Sequence, residues 1–325
     1  MRTILCTNPG GPLSDTRVED RPNPTPGPGE VRVQMRAVSL NPVDWKLCVG
    51  VAPWWTEPMI VGVDGAGVVD ALGEGVEGVA IGDRVVWHHN LSKQGVFADY
   101  AIAPSHVLAR IPDSVSDEAA AALPCAGMTA YQGLVRKARL GAGETVLIQG
   151  ASGGTGGFAL QIAKALGATT IALARTKDHD RVRALGADHV LDYTADDLHD
   201  QVRAIAPDGV DLMYEVVKAK DANVNFRHIR YNGQFVTTDP LPDLSNVPAY
   251  TYALSMHEVA LGGAYGASDM RTQKDFAVML EAMLEMVAQG TLDPMIEAEI
   301  GFDDIPKYLG RLMERKVTGK IVARL

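Results

Sequence analysis

Residues 145–167, TVLIQGASGGTGGFALQIAKALG, decide the fold of this chain. A continuous apolar run of the kind that forms a buried strand gives way to GASGGTGG, five glycines in the eight residues 150–157, and then to a segment with helical apolar spacing. Glycine gives up side-chain packing and costs order, so a cluster of them at the start of a helix needs a reason. A strand-to-helix turn that brings backbone close to a phosphate supplies one. Gly150 closes the tight turn, Gly153 leaves room for a pyrophosphate, and Gly156 lets the helix pack on the strand. Free N–H groups at the helix start, with the helix dipole, form an anion site whose turn also includes Ser152, Gly154 and Thr155. The spacing is Gly-x-x-Gly-x-x-Gly and not the commoner Gly-x-Gly-x-x-Gly, so its force comes from its surroundings.

Those surroundings alternate strand and helix. TTIALA (169–174) reads as a second strand, DHDRVRALG as a second helix, HVLDY (189–193) as a third strand, and KALGATTI and RALGADHV repeat one helix–glycine–strand joint. Buried strands alternating with helices predict an α/β fold with a doubly wound parallel sheet. The alternation continues through GVDLMYEV and GQFVTT before it blurs.

The end of the second strand addresses the cofactor. A dinucleotide without a ribose phosphate is met by Asp or Glu about 20 residues past the glycines. Here the strand runs into Ala174, Arg175, Thr176 and Lys177. Two cations and a hydroxyl suit a 2′-phosphate, which points to NADPH over NADH. Asp178 and Asp180, one step later, are assigned to capping the next helix; an Asp178 that swung in to the strand end instead would weaken the NADPH preference.

Outside this region the pattern changes. VRVQMRAVSL (31–40) alternates apolar and polar residues with the period of a half-buried strand, and GAGVVDAL, DRVVWHH and FADYAIA follow as short strands between glycine-rich turns, predicting a barrel-like β domain. Helix begins near Ser116, a capping residue, and Pro124 interrupts it. TQKDFAVMLEAMLEMVAQG (272–290) is an amphipathic helix whose Met and Leu stripe reads as core, and TGKIVARL (318–325) reads as a final strand. The expected boundaries are 1–123 with 266–325 for the β domain and 124–265 for the dinucleotide domain.

Composition narrows the function. The chain has 325 residues, 46% of them hydrophobic and 22% charged, with a formal net charge of −10. That charge repels a phosphate backbone and argues against nucleic acid as the main partner. No uncharged apolar run reaches membrane-spanning length, and the three cysteines, Cys6, Cys48 and Cys125, do not make a disulfide framework. The expectation is a cytoplasmic protein acting on a small molecule.

The landmarks NPVDWK (41–46), GVDGAGVV (62–69), GDRVV (82–86), GMTAY (127–131), LIQGASGGTGG (147–157), ALGADHVLDY (184–193) and TGKIVARL together resemble the zinc-independent quinone oxidoreductases, the zeta-crystallin-like branch of the medium-chain dehydrogenase/reductase superfamily. The resemblance implies a GroES-like catalytic domain and a Rossmann domain with the active site between them, NADPH as cofactor, and a homodimer or homotetramer. It implies that Thr129, Gly153, Gly154, Lys177 and Tyr193 contact the cofactor, and that Lys320 faces it as well. Zinc alcohol dehydrogenases of the superfamily carry Cys where this chain has Asn41 and His where it has Val63, which leaves Cys125 alone among three ligand positions. The four-cysteine lobe is also missing between Val86 and Ala101. No zinc is expected, because a catalytic zinc takes three protein ligands.

Without a metal to polarise an alcohol, the natural substrate is already electrophilic. Reduction of a quinone is the first reading and reduction of an α,β-unsaturated carbonyl the second. A non-catalytic, NADPH-binding or crystallin-like protein stays open as a different class. Asn41 and Asp44 are the candidate catalytic residues, each with a structural alternative: an amide bonding loop backbone and a carboxylate orienting the loop. Trp45, Trp54 and Trp55 suggest an aromatic wall, or equally APWWTEP is a lid or a subunit contact, and LGGAYG (261–266) suggests a glycine-rich approach to the nicotinamide. Of His88 and His89, adjacent and therefore on opposite faces of a strand, one is a candidate to line the substrate site.

Overall fold

The computed structural model describes residues 1–217 and 226–325. They form two compact units, one of Met1–Met128, Leu261–Gly290 and Pro294–Leu325, the other of Thr129–Ala260 with Thr291–Asp293. Part of EVVKAKDANVNFRHIRYNG (215–233), whose departure from the usual ending of its strand stands out in the sequence, lies outside the described residues.

The first unit begins with the antiparallel pair β1 (Arg2–Cys6) and β2 (Thr16–Asp20). Next comes β3 (Glu30–Leu40), in which Val31, Val33, Met35 and Ala37 are buried, as the two-residue period requires. Asn41 ends the strand, and Pro42 sits in the first turn of α1 (Pro42–Lys46), where its missing N–H costs nothing. The short β4 (Met59–Ile60) returns to β1, and β5 (Asp64–Leu72), β6 (Arg84–His88), β7 (Tyr100–Pro104) and β8 (Ala109–Arg110) extend the sheet around β3. Ser116 caps α2 (Asp117–Ala121) by accepting the Ala119 N–H at 3.1 Å, and Pro124 opens α3 (Pro124–Tyr131).

The second unit carries the strand–helix alternation: β9 (Thr145–Gln149), α4 (Gly154–Ala165), β10 (Thr169–Ala174), α5 (His179–Ala184), β11 (His189–Asp192), α6 (Leu198–Ile205), β12 (Val210–Glu215), β13 (Ile229–Thr237) and β14 (Ser255–Glu258). The strands form one parallel sheet in the order β11-β10-β9-β12-β13-β14. The order reverses at β9, which places the mouth of the glycine turn at a topological switch point, where open α/β sheets bind ligands.

The chain then re-enters the first unit with α7 (Gly263–Gly266) and α8 (Met270–Ala288). The stripe of α8, Phe276, Met279, Leu280, Met283 and Leu284, is core. Then β15 (Ile296–Gly301), α9 (Ile305–Met313) and β16 (Lys320–Arg324) follow, and β16 lies antiparallel to β3 with Ile321 opposite Leu40. Among the described residues no helix is long and apolar enough to cross a membrane.

Candidate functional site

A buried polar cluster forms in the first unit where β3, β5, β6 and β16 bring their ends together. The pairing of β16 with β3 delivers Lys320 beside Asn41, and the Lys320 ammonium donates to Asn41 Oδ1 at 2.6 Å. It also lies 3.8 Å from Asp64 Oδ2. The Asn41 amide donates to that same oxygen at 2.7 Å and to the Ser39 carbonyl at 3.2 Å, so both its hydrogens are used within the protein. Asp44 accepts the Asn41 backbone N–H at 2.6 Å, one half of a capping box at the start of α1. Asp64 Oδ1 accepts the Cys125 N–H at 2.9 Å, and the antiparallel register of β5 and β6 sets Asp64 opposite His88. Asp64, His88 and Cys125 each offer one donor atom within 4.8 Å of the others. Asn41, Asp44, Asp64, His88 and Lys320 are each no more than 3% exposed.

Burial sets the charge of this cluster. It raises Asp44 well above the usual carboxylate range, and the nearby Asp64 charge adds to the effect. Asp64 is raised to about 6 by burial, held from going further by Lys320 and the Asn41 amide. His88 is pushed down to about 3 and its Nδ1 finds no hydrogen-bond partner among the described residues. Burial also raises the Cys125 thiol. Near neutral pH this leaves a neutral imidazole, a neutral thiol, and one ion pair between Lys320 and Asp64. An ammonium this buried is rare unless paired, and loss of its partner typically costs about 3–5 kcal/mol.

A zinc ion needs three ligands and an open position. Asp64, His88 and Cys125 are of suitable types, but both Asp64 oxygens already accept N–H groups and an ammonium stands in the same cluster. The residues as arranged do not fit a metal ion.

The glycine turn of the second unit fits a pyrophosphate. Gly150 has φ +75°, and a Cβ there would stand 2.8 Å from Val217. A Cβ on Gly156 would stand 2.2 Å from the Gly150 carbonyl oxygen, so α4 packs against the turn only because that position is bare. Gly153 is the N-cap of α4 and no side chain caps the helix, which leaves its first N–H groups to a ligand. Ser152, Gly153, Gly154 and Thr155 are half-buried around this mouth.

At the end of β10 the structure engages two of the three groups read as a phosphate site. Thr176 donates its N–H to Asp192 Oδ2 at 3.0 Å and its hydroxyl to the same oxygen. Arg175 faces Asp178 at 3.4 Å, and the Asp178 carboxylate makes no cap hydrogen bond to α5, contrary to the assignment from sequence. A single 3-10 turn over Thr176–Asp178 directs the acid back to Arg175 instead. Lys177 and Tyr193 are exposed. The Thr129 carbonyl accepts the Tyr214 hydroxyl at 2.8 Å.

Other candidates separate. Trp54 is 52% exposed, whereas Trp55 is buried with its Nε1–H on the Leu91 carbonyl, so the pair does not present one aromatic face. In LGGAYG, Tyr265 donates to the His88 carbonyl at 2.6 Å. Asp64 is the member of this cluster that the sequence left unmarked, and His88 was marked there only as one of a pair with His89. Asp64 opens β5, in GVDGAGVV, opposite the His88 that closes β6, in DRVVWHH.

Residues 27–113 match the family model of the alcohol dehydrogenase GroES-like domain and residues 154–285 that of the zinc-binding dehydrogenases. A chloroplast envelope quinone oxidoreductase homolog of Arabidopsis thaliana is 30% identical over 340 residues, covering 99% of this chain and 98% of its own. A trans-enoyl reductase of Aspergillus flavipes is 40% identical over 227 residues, and the match spans 65% of each chain, just under two thirds of that relative's length. An alcohol dehydrogenase superfamily protein from Novosphingobium aromaticivorans superposes with a TM-score of 0.90 at 30% identity over 100% of this chain and 99% of that one. A mycobacterial protein complexed with NADPH gives 0.86 at 26% identity, covering 100% of both chains. With its paired GroES-like and Rossmann-type units and its open glycine turn, the chain is a nicotinamide-dependent oxidoreductase of the medium-chain dehydrogenase/reductase superfamily, in the branch that holds the quinone oxidoreductases.

Proposed function

We propose that this protein is an NADPH-dependent, zinc-independent reductase of quinones. The observation that carries the reading is Lys320, an ammonium buried among Asn41, Asp64 and their neighbours where a polarising metal ion would need open ligands. A site lacking a Lewis acid suits a substrate that is electrophilic before it binds. When bound, the nicotinamide supplies the hydride. The chain's own residues bind and orient. Gly150, Gly153, Gly154 and Gly156, with Ser152 and Thr155, hold the pyrophosphate at the start of α4. Lys177 and Arg175, beyond a β10 that ends without a carboxylate, favour the 2′-phosphate, with Thr176 as a hydroxyl donor when it turns from Asp192. Thr129 and Tyr193 complete the cofactor set carried over from the family resemblance. Asn41 and Asp44 act by holding Lys320 and Asp64 in register.

The match to a trans-enoyl reductase favours a second reading, reduction of an α,β-unsaturated carbonyl by the same hydride transfer. The reading extends to a cytoplasmic protein that works as a homodimer or homotetramer on a small electrophile. The test is NADPH oxidation by chelator-treated protein with an ortho-quinone and an unsaturated aldehyde in parallel, and NADH as control. Turnover of the quinone above the aldehyde supports the first reading, and the reverse order selects the second. Inactivity with both acceptors despite NADPH binding rejects both readings and favours the non-catalytic class.

A further inference from the structure

Three residues of metal-binding type, Asp64, His88 and Cys125, converge to within 4.8 Å inside the first unit, each carried by a different segment. Such a set is of the kind that selects zinc or cobalt: one carboxylate, one imidazole and one thiol. His88 is neutral, and its buried Nδ1 atom has no hydrogen-bond partner among the described residues. Each Asp64 oxygen accepts an N–H but keeps a second lone pair, so the main obstacle is electrostatic. Lys320 lies 3.8 Å from Asp64, is itself 3% exposed, and its charge bears on Asp44, Asp64, His88 and Cys125 alike. A divalent ion entering beside it would meet a unit positive charge with little water to screen it.

We propose that Lys320 is a built-in cation that takes the electrostatic place of a metal ion, and that neutralising it turns Asp64, His88 and Cys125 into a site for a divalent transition metal. Binding would form bonds from the metal to one Asp64 oxygen, one His88 nitrogen and the Cys125 sulfur, releasing the thiol proton to solvent. No electrons are transferred. The inference rests on the zinc-independent reading above and adds its cause.

The experiment titrates cobalt(II) into the chelator-treated wild-type protein and into Lys320→Met, following the visible d–d bands and the thiolate-to-cobalt charge-transfer band. The wild type should give neither. Lys320→Met should bind one equivalent with the charge-transfer band, with affinity at least about 100-fold above wild type. Lys320→Arg, which keeps the charge, should refuse the metal, and Cys125→Ser in the Lys320→Met background should lose the charge-transfer band. If Lys320→Met does not fold, Lys320→Gln takes its place, and a rise in Tm on adding zinc to that variant alone is the second readout. Cobalt bound through a thiolate in the wild type would overturn both this proposal and the zinc-independent reading. A folded, neutralised variant that binds no cobalt would overturn this proposal and leave that reading standing.

Discussion

Thr176 gives both of its hydrogen-bond donors, the backbone N–H at 3.0 Å and the hydroxyl, to one oxygen of Asp192. The parallel register of β10 and β11 makes this possible, because it sets Ala174 level with Asp192 and brings the two strand ends together. Asp192 is held well below the usual carboxylate range, chiefly by Thr176 and Thr194, so it carries its charge at any working pH. A carboxylate at this point competes with a 2′-phosphate for the same donors. Asp192→Asn should therefore tighten NADPH by roughly 3–10-fold while NADH changes little. Fluorescence titration of the two cofactors reads this directly, and an equal change in both would remove Thr176 from the phosphate site.

Lys177 is the cation of this loop that makes no ion pair among the described residues, since Arg175 faces Asp178. Reversing its charge should cost NADPH at least about 10-fold and leave NADH nearly unchanged. The comparison is the ratio of Kd values for Lys177→Glu. Equal losses would mean that the lysine is only a solvated charge at a loop edge.

The glycine turn makes a steric prediction. Gly156→Ala sets a methyl group 2.2 Å from the Gly150 carbonyl oxygen, a distance that only a shift of α4 or of the turn can relieve. The variant should lose on the order of 2 kcal/mol of stability and most of its cofactor affinity. Gly153→Ala is the control, because its Cβ would stand 3.4 Å from the same oxygen. It should keep the stability and lose affinity only where a bound pyrophosphate needs the space. Thermal melts with and without NADPH separate the two effects.

His228 provides a pH test in the second unit. Burial and the Arg227 charge lower its imidazole to about 4, so the folded protein keeps it neutral. Above pH ~6.5 it is neutral folded or unfolded and contributes no pH dependence. As pH falls from there to about 4, the unfolded chain takes up a proton that the folded one refuses, and stability drops. Below that value both states are protonated and the loss levels off. The drop should be on the order of 2 kcal/mol. His228→Asn should flatten that part of the curve in urea unfolding at neutral pH and near the lower end of the window. An unchanged slope would assign the acid sensitivity elsewhere.

The second unit was legible because its signals are local. β9 and β10 are largely apolar runs ended by turns, β11 follows a repeated helix–glycine–strand joint, and TTIALA matches β10 from end to end. The start of α4 moved three residues into the glycines, because a helix needs no apolar residue in its first turn when its packing surface is backbone. β1 and β2 were missed because RTILC is short and TRVED is mostly polar, so neither shows a clear period. The buried cluster was only partly legible. Asn41 was marked with a structural alternative and Lys320 as facing the cofactor, but nothing local in NPVDWK or TGK reveals that they bond each other across 279 positions. Asp64 and His88 become neighbours through strand register, which a single sequence does not print.

The position of Lys320 on β16 also bears on how the protein is made. A ribosome delivers Asn41, Asp64 and Cys125 early and Lys320 only after the entire parallel sheet has been synthesised. Until then the first unit has two acidic groups to bury and no counter-charge for them, while the other unit, continuous from Thr129 to Ala260, has its whole sheet in hand. The order of assembly this dictates is vectorial: the middle of the chain can settle while it is still being extended, and β16 then acts as the clasp that closes on β3.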